Sequence, residues 1–327
     1  MKSILVTGGA GYIGSHTAKA LAKAGYQPIV YDNLSKGHRW AVQWGPLVVG
    51  DLSNRALLRE TMQAHDVSAV MHFASHIEVG ESMTNPFKYL HANVDASLHL
   101  LEAMQEAGVR HIVFSSTAAI YGDPVQVPMV ESHPQAPVNP YGEAKRFVER
   151  SLHWYAQAHG LSWTALRYFN ASGADPEGQI GEQHDPESHL IPRIIYAALG
   201  KQKAISIFGT DYPTPDGTAV RDYIHVVDLA DVHLKAIERL ASGGESIALN
   251  LGTGHGHSVR EVIASVERVS GRKVPVVEAP RRAGDPPVLV ADSTLAQQIL
   301  SWTPQHAAID DIVGTAWKWH TRPAGPS

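Results

Sequence analysis

At 327 residues the chain exceeds the size at which one hydrophobic core usually stops growing, so two domains or lobes are expected. Hydrophobic residues are 44% and charged residues 18% of a globular composition, and a net charge of −5 without runs of like charge argues against nucleic-acid and lipid surfaces. There is no cysteine, which excludes disulfides, thiolate metal sites and a Cys nucleophile.

In chain order, the N-terminus enters glycines directly, without a signal-peptide pattern, and no apolar stretch approaches membrane-spanning length. A cytoplasmic chain with no membrane partner is expected. Apolar runs at 3–7, 28–31, 47–49, 69–73, 111–115 and 162–168 read as strands. Helical patterns near 13–24, 54–64, 87–107 and 141–158 separate them, and this alternation predicts a parallel sheet covered on both faces. After residue 171 the rhythm changes. Gly173 to Ser188 reads as loop, a helical pattern returns at 190–199, and apolar runs follow at 204–208, 247–251 and 274–278. The expected fold is therefore α/β: a Rossmann doubly wound parallel sheet over 1–171, and a smaller α/β substrate-binding lobe over 172–327. Some segments of the lobe are expected to rejoin the first domain. The 19 histidines are scattered, with His255-Gly256-His257 the tight pair, and no metal is expected.

Directly after the first strand, Gly8-Gly9-Ala10-Gly11-Tyr12-Ile13-Gly14 opens a helix. Glycines at 8, 11 and 14 suit the tight turn, close approach of a pyrophosphate and helix–strand packing, and the helix N-terminus faces the phosphates. Asp32 ends the second strand, 18 positions after Gly14, where a carboxylate accepts bonds from ribose hydroxyls and favours NAD over NADP. Lys36 and Arg39 lie nearby and would suit a 2′-phosphate. Asp51, after the third strand, is placed to reach the adenine.

Tyr141 and Lys145 stand four apart behind Asn139-Pro140, a helix-start signal, so both share one helix face. The spacing alone arises by chance roughly 0.4 times in such a chain. Its weight comes from position: Ser115-Ser116-Thr117 ends the fifth strand, at the sheet edge where ligands of open parallel sheets bind. A phenol with a pKa near ~10 becomes a base at neutral pH only beside positive charge in a partly dry pocket.

With Gly8 to Gly14, Ser115-Ser116-Thr117 and Tyr141-x-x-x-Lys145 together, the chain resembles the extended short-chain dehydrogenase/reductase family. Within it the chain resembles, along nearly its whole length, the NAD-dependent 4-epimerases of UDP-sugars. Arg167-Tyr168-Phe169-Asn170, the stretch from Asp211 to His225, and Arg281-Arg282-x-Gly284-Asp285 carry that narrower likeness.

The resemblance implies NAD as a tightly held cofactor and UDP-glucose/UDP-galactose interconversion through a 4-keto sugar. It implies Tyr141 as base, Lys145 on the nicotinamide ribose and Thr117 bridging substrate and phenol. It places the cofactor against Gly8, Gly11, Tyr12, Ile13, Gly14, Asp32, Asn33, Lys36, Gly37, Asp51 and Leu52. Phe73, Ala74, Ser75, Asn93, Tyr168 and Phe169 complete that surround. It assigns Arg221 and Arg282 to the UDP pyrophosphate, Asn170 to a phosphate or sugar oxygen, Asp285 to the uridine ribose and Phe208 to the uracil. His189 and Leu190 fall beside the nucleotide, and Leu289 on the sugar pocket. The chain departs from some relatives at Ile77, where a lysine contacts the cofactor, and at His189, where an asparagine often stands. Leu289 leaves an N-acetyl group or a pentose open.

Three other readings are weighed, the first a 4-epimerase of a UDP-pentose or a UDP-N-acetylhexosamine, which stays open as the serious alternative. A dehydratase needs a second acid–base pair after the strand-end Thr, but Ala118-Ala119 follows Thr117. A non-catalytic NAD-binding protein should lose the Tyr or the Lys, and both are present. The family likeness further implies a homodimer pairing the helices near 87–107 and 141–158.

Overall fold

A computed structural model describes residues 2–282 and 284–323. The elements run β1 (Ser3–Thr7), α1 (Tyr12–Lys23), β2 (Gln27–Asp32), β3 (Leu47–Val49), α2 (Arg55–Ala64), β4 (Val67–His72), α3 (Val79–Thr84) and α4 (Pro86–Leu90). A π-helical turn, His91–Asp95, leads into α5 (Ala96–Ala107), β5 (His111–Thr117), α6 (Pro140–His159), β6 (Ser162–Tyr168) and β7 (Asn170–Ser172). Then come α7 (Leu190–Ala198), β8 (Ile205–Phe208), β9 (Val220–His225), α8 (Val226–Ala241), β10 (Ile247–Leu251), β11 (Gly256–Ser258) and α9 (Val259–Ser270). The last are β12 (Val276–Ala279), β13 (Val288–Leu289), α10 (Thr294–Leu300) and α11 (Ile309–His320).

Seven strands form one parallel sheet in the order β10-β6-β5-β4-β1-β2-β3. All five residues of β1 are buried, because helices cover both faces. Ile4 and Val6 face α8 and Leu21 of α1, while Leu5 faces Leu58 of α2, Leu100 of α5 and Leu152 of α6. Each such fully buried aliphatic side chain contributes about 1.5–3 kcal/mol. The chain winds from β1 outward to β3, then crosses back to β4. That reversal opens a crevice beyond the C-terminal ends of β1 and β4, where open α/β sheets bind ligands.

Beyond Ser172, α7, β8, α9 and α11 build a separate core around Ile194, Ile207, Val262 and Val313. β11, β9, β13 and β7 form a second sheet, and β12 pairs with β8. β10 does not belong to this group: it lies against β6 at the edge of the main sheet, and α8 packs on α1.

The six strands expected in the first half all form, and the pattern read as one helix over 87–107 proves to be α4, the π-turn and α5. The helices α3, α8, α9, α10 and α11 are not among those expected. α8 follows β9 without a break and opens on Val226-Val227, β-branched residues that continue a strand pattern.

Candidate active site

The glycine turn is fixed by steric limits. Gly8 has φ of 72°, and a Cβ there would lie 2.5 Å from the Ala74 amide nitrogen. A Cβ on Gly14 would lie 2.3 Å from the Gly8 carbonyl oxygen. The N-cap of α1 is Gly11, which has no side chain to satisfy the first-turn amides, including those of Tyr12 and Ile13. They are left for an anionic ligand. This cradle fits the pyrophosphate of a dinucleotide.

Asp32 closes one side. Its Oδ2 accepts from the Ala10 amide at 3.0 Å and its Oδ1 from the Leu34 amide at 2.8 Å, while burial raises its pKa. Gly37 passes so close that a Cβ would come within 2.9 Å of Asp32 Oδ2. Next to it, Asn33 Nδ2 donates to Asp51 Oδ2 at 2.8 Å, and Leu52 is buried. The Ser53 amide holds the Asp51 carboxyl below its ordinary pKa. Lys36 Nζ donates instead to the Asp185 carbonyl at 2.9 Å.

On the other side, the Thr7 carbonyl accepts from the amides of Phe73 and Ala74. Asn93, buried on the π-turn, clamps the following segment: its Oδ1 accepts from the His76 amide at 2.8 Å and its Nδ2 donates to the His76 carbonyl at 3.0 Å. That holds Ser75 at the rim, with its hydroxyl on the His76 carbonyl. Ile77 stands exposed. Tyr12 turns its hydroxyl to the Gly173 carbonyl, 2.6 Å away.

The second group grows from the ends of β5 and α6. Asn139 caps α6 by accepting from the Gly142 amide at 2.8 Å, which sets Tyr141 and Lys145 one turn apart. Lys145 Nζ donates to the Ser115 carbonyl at 2.9 Å and lies 5.9 Å from the Tyr141 ring centre. Thr117 Oγ1 accepts from the Ala119 amide at 3.1 Å. Burial pushes the Tyr141 phenol up to about 12, with the Thr117 hydroxyl pulling the other way. Burial pulls Lys145 down to about 7, against the attraction of Glu149. The hydroxyls of Ser115 and Tyr168 bond one another.

Two supporting side chains, Glu149 and His72, are not singled out from the sequence, and Arg167 figures there only in a family stretch. Glu149, one turn beyond Lys145, accepts from Arg167 Nε at 2.9 Å, Arg167 Nη2 at 2.5 Å and Ser116 Oγ at 2.5 Å. This buried group pins α6 to β5 and β6. The Lys145/Glu149 spacing was a readable signal; the Arg167 partner was not. His72 bridges Thr7 Oγ1 at 2.8 Å and Ser97 Oγ at 2.9 Å, and burial, then Lys145, lowers its pKa to about 3.

The expected substrate residues fall into four groups. Arg221 on β9 pairs in register with Leu289 on β13, and its Nη2 lies 3.5 Å from Asp285 Oδ1. Leu289 packs with Phe169 against Ile120, Tyr121 and Met129. The Arg282 guanidinium sits 3.9 Å from the centre of the Phe208 ring. Asn170 donates to the Asp222 carbonyl at 2.9 Å. His189 is the N-cap residue of α7 and Leu190 its first helical residue. The histidines read as scattered include two, His184 and His189, that the fold gathers with Glu182 and Glu187. The spacing Glu-x-His-x-x-Glu-x-His was the signal for them.

A family profile described as "NAD dependent epimerase/dehydratase family" matches residues 4–252. A UDP-glucose 4-epimerase of Rhizobium meliloti (strain 1021) is 53% identical over 320 residues, covering 98% of this chain and 97% of that protein. The crystal structure of UDP-glucose 4-epimerase from Brucella ovis in complex with NAD superposes with a TM-score of 0.95 at 50% identity, over 97% of this chain and 98% of that one. That of Stenotrophomonas maltophila, with bound NAD and formylated UDP-arabinopyranose, gives 0.94 at 41%, over 98% of each chain. A glycine cradle, a Thr–Tyr–Lys site at the switch point of a parallel sheet and near full-length similarity together make this chain a member of the NAD-dependent epimerase/dehydratase family.

Proposed function

We propose that the chain is a UDP-glucose 4-epimerase, interconverting UDP-glucose and UDP-galactose through a 4-keto intermediate. The observation that carries this reading is the Thr117–Tyr141–Lys145 group beside the glycine cradle, followed by Ala118-Ala119 and not by a second acid–base pair. When bound, NAD supplies a hydride acceptor and donor and, oxidised, a positively charged ring. Its holders are the glycine turn, Asp32, Asn33, Gly37, Asp51 and Leu52 on the adenosine side and Phe73 to Ser75, Asn93, Tyr168 and Phe169 beyond. Tyr12, Ile13 and Lys36 complete the surround.

Tyr141 removes the proton from the sugar 4-hydroxyl, and the Thr117 hydroxyl bridges that oxygen to the phenol. A phenol at about 12 is a poor base at neutral pH, so positive charge nearby is required, and each unit of lowering corresponds to about 1.4 kcal/mol. Lys145 contributes when protonated, and the Ser115 carbonyl fixes its position. After the 4-keto sugar turns over, Tyr141 returns the proton to O4 as C4 recovers its hydrogen on the opposite face.

Turning over one end of a substrate requires anchoring the other. Arg221 and Arg282 hold the diphosphate through charge-assisted bonds, with Asn170, Asp285, Phe208, His189 and Leu190 around the nucleotide. Leu289 faces the sugar with no polar group, so it adds no bond that would resist rotation.

The reading includes a homodimer. Phe87 and Leu90 of α4 and Phe147 of α6 are exposed on adjoining helices, an apolar patch that a second copy would cover. It also includes a cytoplasmic location, consistent with the lack, among the described residues, of a helix long and apolar enough to cross a membrane.

The deciding experiment incubates the protein with a panel of UDP-hexoses, UDP-N-acetylhexosamines and UDP-pentoses and separates the 4-epimers by chromatography. UDP-glucose and UDP-galactose are expected to reach one equilibrium mixture from either side. Interconversion of another pair but not this one would move the assignment to that sugar, and none at all would defeat the epimerase reading.

A further inference from the structure

Between β7 and α7 four side chains converge. Glu182, His184, Glu187 and His189 each offer one donor atom, all within 4.8 Å of one another. His189 Nδ1 lies 2.9 Å from Glu182 Oε1 and 3.0 Å from Glu187 Oε1. His184 Nδ1 lies 3.3 Å from Glu182 Oε1 and 3.7 Å from Glu187 Oε2. Tetrahedral coordination with bonds of about 2.0–2.2 Å implies donor–donor edges of about 3.3–3.6 Å. The four separations bracket that value.

A second observation points to a ligand. His184 Nδ1 and Glu187 Oε2 are buried and have no hydrogen-bond partner, and the Glu187 side chain is only 5% exposed. His184 Nδ1 has two carboxylate oxygens within 4 Å and makes an aligned hydrogen bond with neither. Glu187 Oε1 accepts from the His189 amide at 2.9 Å, so Oε2 is the oxygen of that carboxylate left without a partner.

We infer that Glu182, His184, Glu187 and His189 form a zinc site. Two carboxylates and two neutral imidazoles carry −2 in all, which one divalent cation balances inside the protein. Mixed nitrogen and oxygen ligands in fourfold array suit zinc. Calcium takes six to eight oxygens, and magnesium keeps several waters in an octahedron. All four positions come from the protein, so the site is structural and holds no water for catalysis. His189 is 38% exposed and gives the ion its way in.

The loop is tied to its surroundings from three sides. Lys36 Nζ donates to the Asp185 carbonyl, His38 Nε2 lies 3.0 Å from the Gln183 carbonyl, and Trp319 Nε1 donates to the Glu182 carbonyl at 2.8 Å. The Tyr12 ring meets His184 edge-on. The ion thus fixes the segment carrying His189 and Leu190 against the glycine turn, joining the two lobes at one point. None of this depends on the epimerase reading.

The test uses untagged, full-length protein carrying its NAD. Metal content is measured by plasma mass spectrometry as purified, and zinc uptake is measured after chelation. Stoichiometric uptake of about one zinc per chain, with a rise in melting temperature, is expected. Replacing zinc with cobalt(II) should give the intense visible absorption of a four-coordinate ion. Glu187→Gln and His184→Gln should each lose at least nine-tenths of the zinc while retaining NAD. No uptake by the wild type with an unmoved melting temperature would overturn the site and leave a quartet of ion pairs. Equal uptake by both variants, or a weak octahedral cobalt spectrum, would overturn it too. The wild-type measurement stands even if a variant fails to fold.

Discussion

Tyr141 and Lys145 are each displaced by burial toward the neutral form, to about 12 and about 7, and the chemistry needs both in the charged form part of the time. Tyr141→Phe removes the proton acceptor alone: turnover should fall about a thousandfold or more, while NAD released on denaturation stays at the wild-type level. Unchanged turnover would remove Tyr141 from the mechanism. Lys145→Met should lower kcat by roughly 10²–10³ without lowering the melting temperature at pH 7. The sign follows from linkage. A lysine whose folded pKa is depressed to about 7 destabilises the folded state below that pH, where it must carry its charge buried. The penalty fades as pH rises toward the ordinary lysine value. The gain in melting temperature of Lys145→Met over wild type should therefore be largest at and below pH 7 and shrink toward pH 10. A gap that widens with pH would contradict the buried-ammonium account.

At the scale of elements, the turn between β1 and α1 and the seating of α6 decide the site. Gly14→Ala would drive a Cβ to 2.3 Å from the Gly8 carbonyl, moving the cradle as a unit. Cofactor content after purification should drop at least tenfold, with the chain still folded by circular dichroism. Arg167→Met leaves Glu149 unpaired inside the protein, and unfolding free energy measured with denaturant should fall by about 3–5 kcal/mol. The first of these elements was legible in the sequence, since glycine spacing, the strand before it and Asp32 after it all follow local rules. The seating of α6 was half legible: Asn139-Pro140 marked its start, but Arg167 on β6 reaches Glu149 across the sheet. The break of the 87–107 pattern into α4, a π-turn and α5 was not legible, because all three share one apolar rhythm. That break places Asn93 where it clamps His76.

For the whole molecule, the exposed apolar groove on α4 and α6 is where a second copy would seat. Sedimentation equilibrium should give twice the chain mass, and Phe147→Asp should shift it toward monomer while the far-ultraviolet spectrum is kept. A wild type that sediments only as monomer would defeat the dimer. The two lobes are not successive beads on the chain. β10, beyond residue 246, lies against β6 in the first sheet, and α8 covers α1. Alternation of short apolar runs indicated a parallel sheet but carried no information on which late strand joins it, since any buried parallel strand reads as the same apolar run.

By itself the sequence determined the dinucleotide turn, its ribose acid, the Tyr–Lys pair on one helix face and the strands that carry them. These depend on spacings within one turn or one strand–helix unit, where covalent geometry fixes what neighbours what. Only the tertiary structure decided what is built from distant segments: the Glu149–Arg167 pair beneath Lys145, the Asn93 clamp, Arg221 beside Asp285, and the seating of the Glu182–His189 loop. Their partners lie tens of residues apart or on a loop with no periodicity, and only the packed core brings them together.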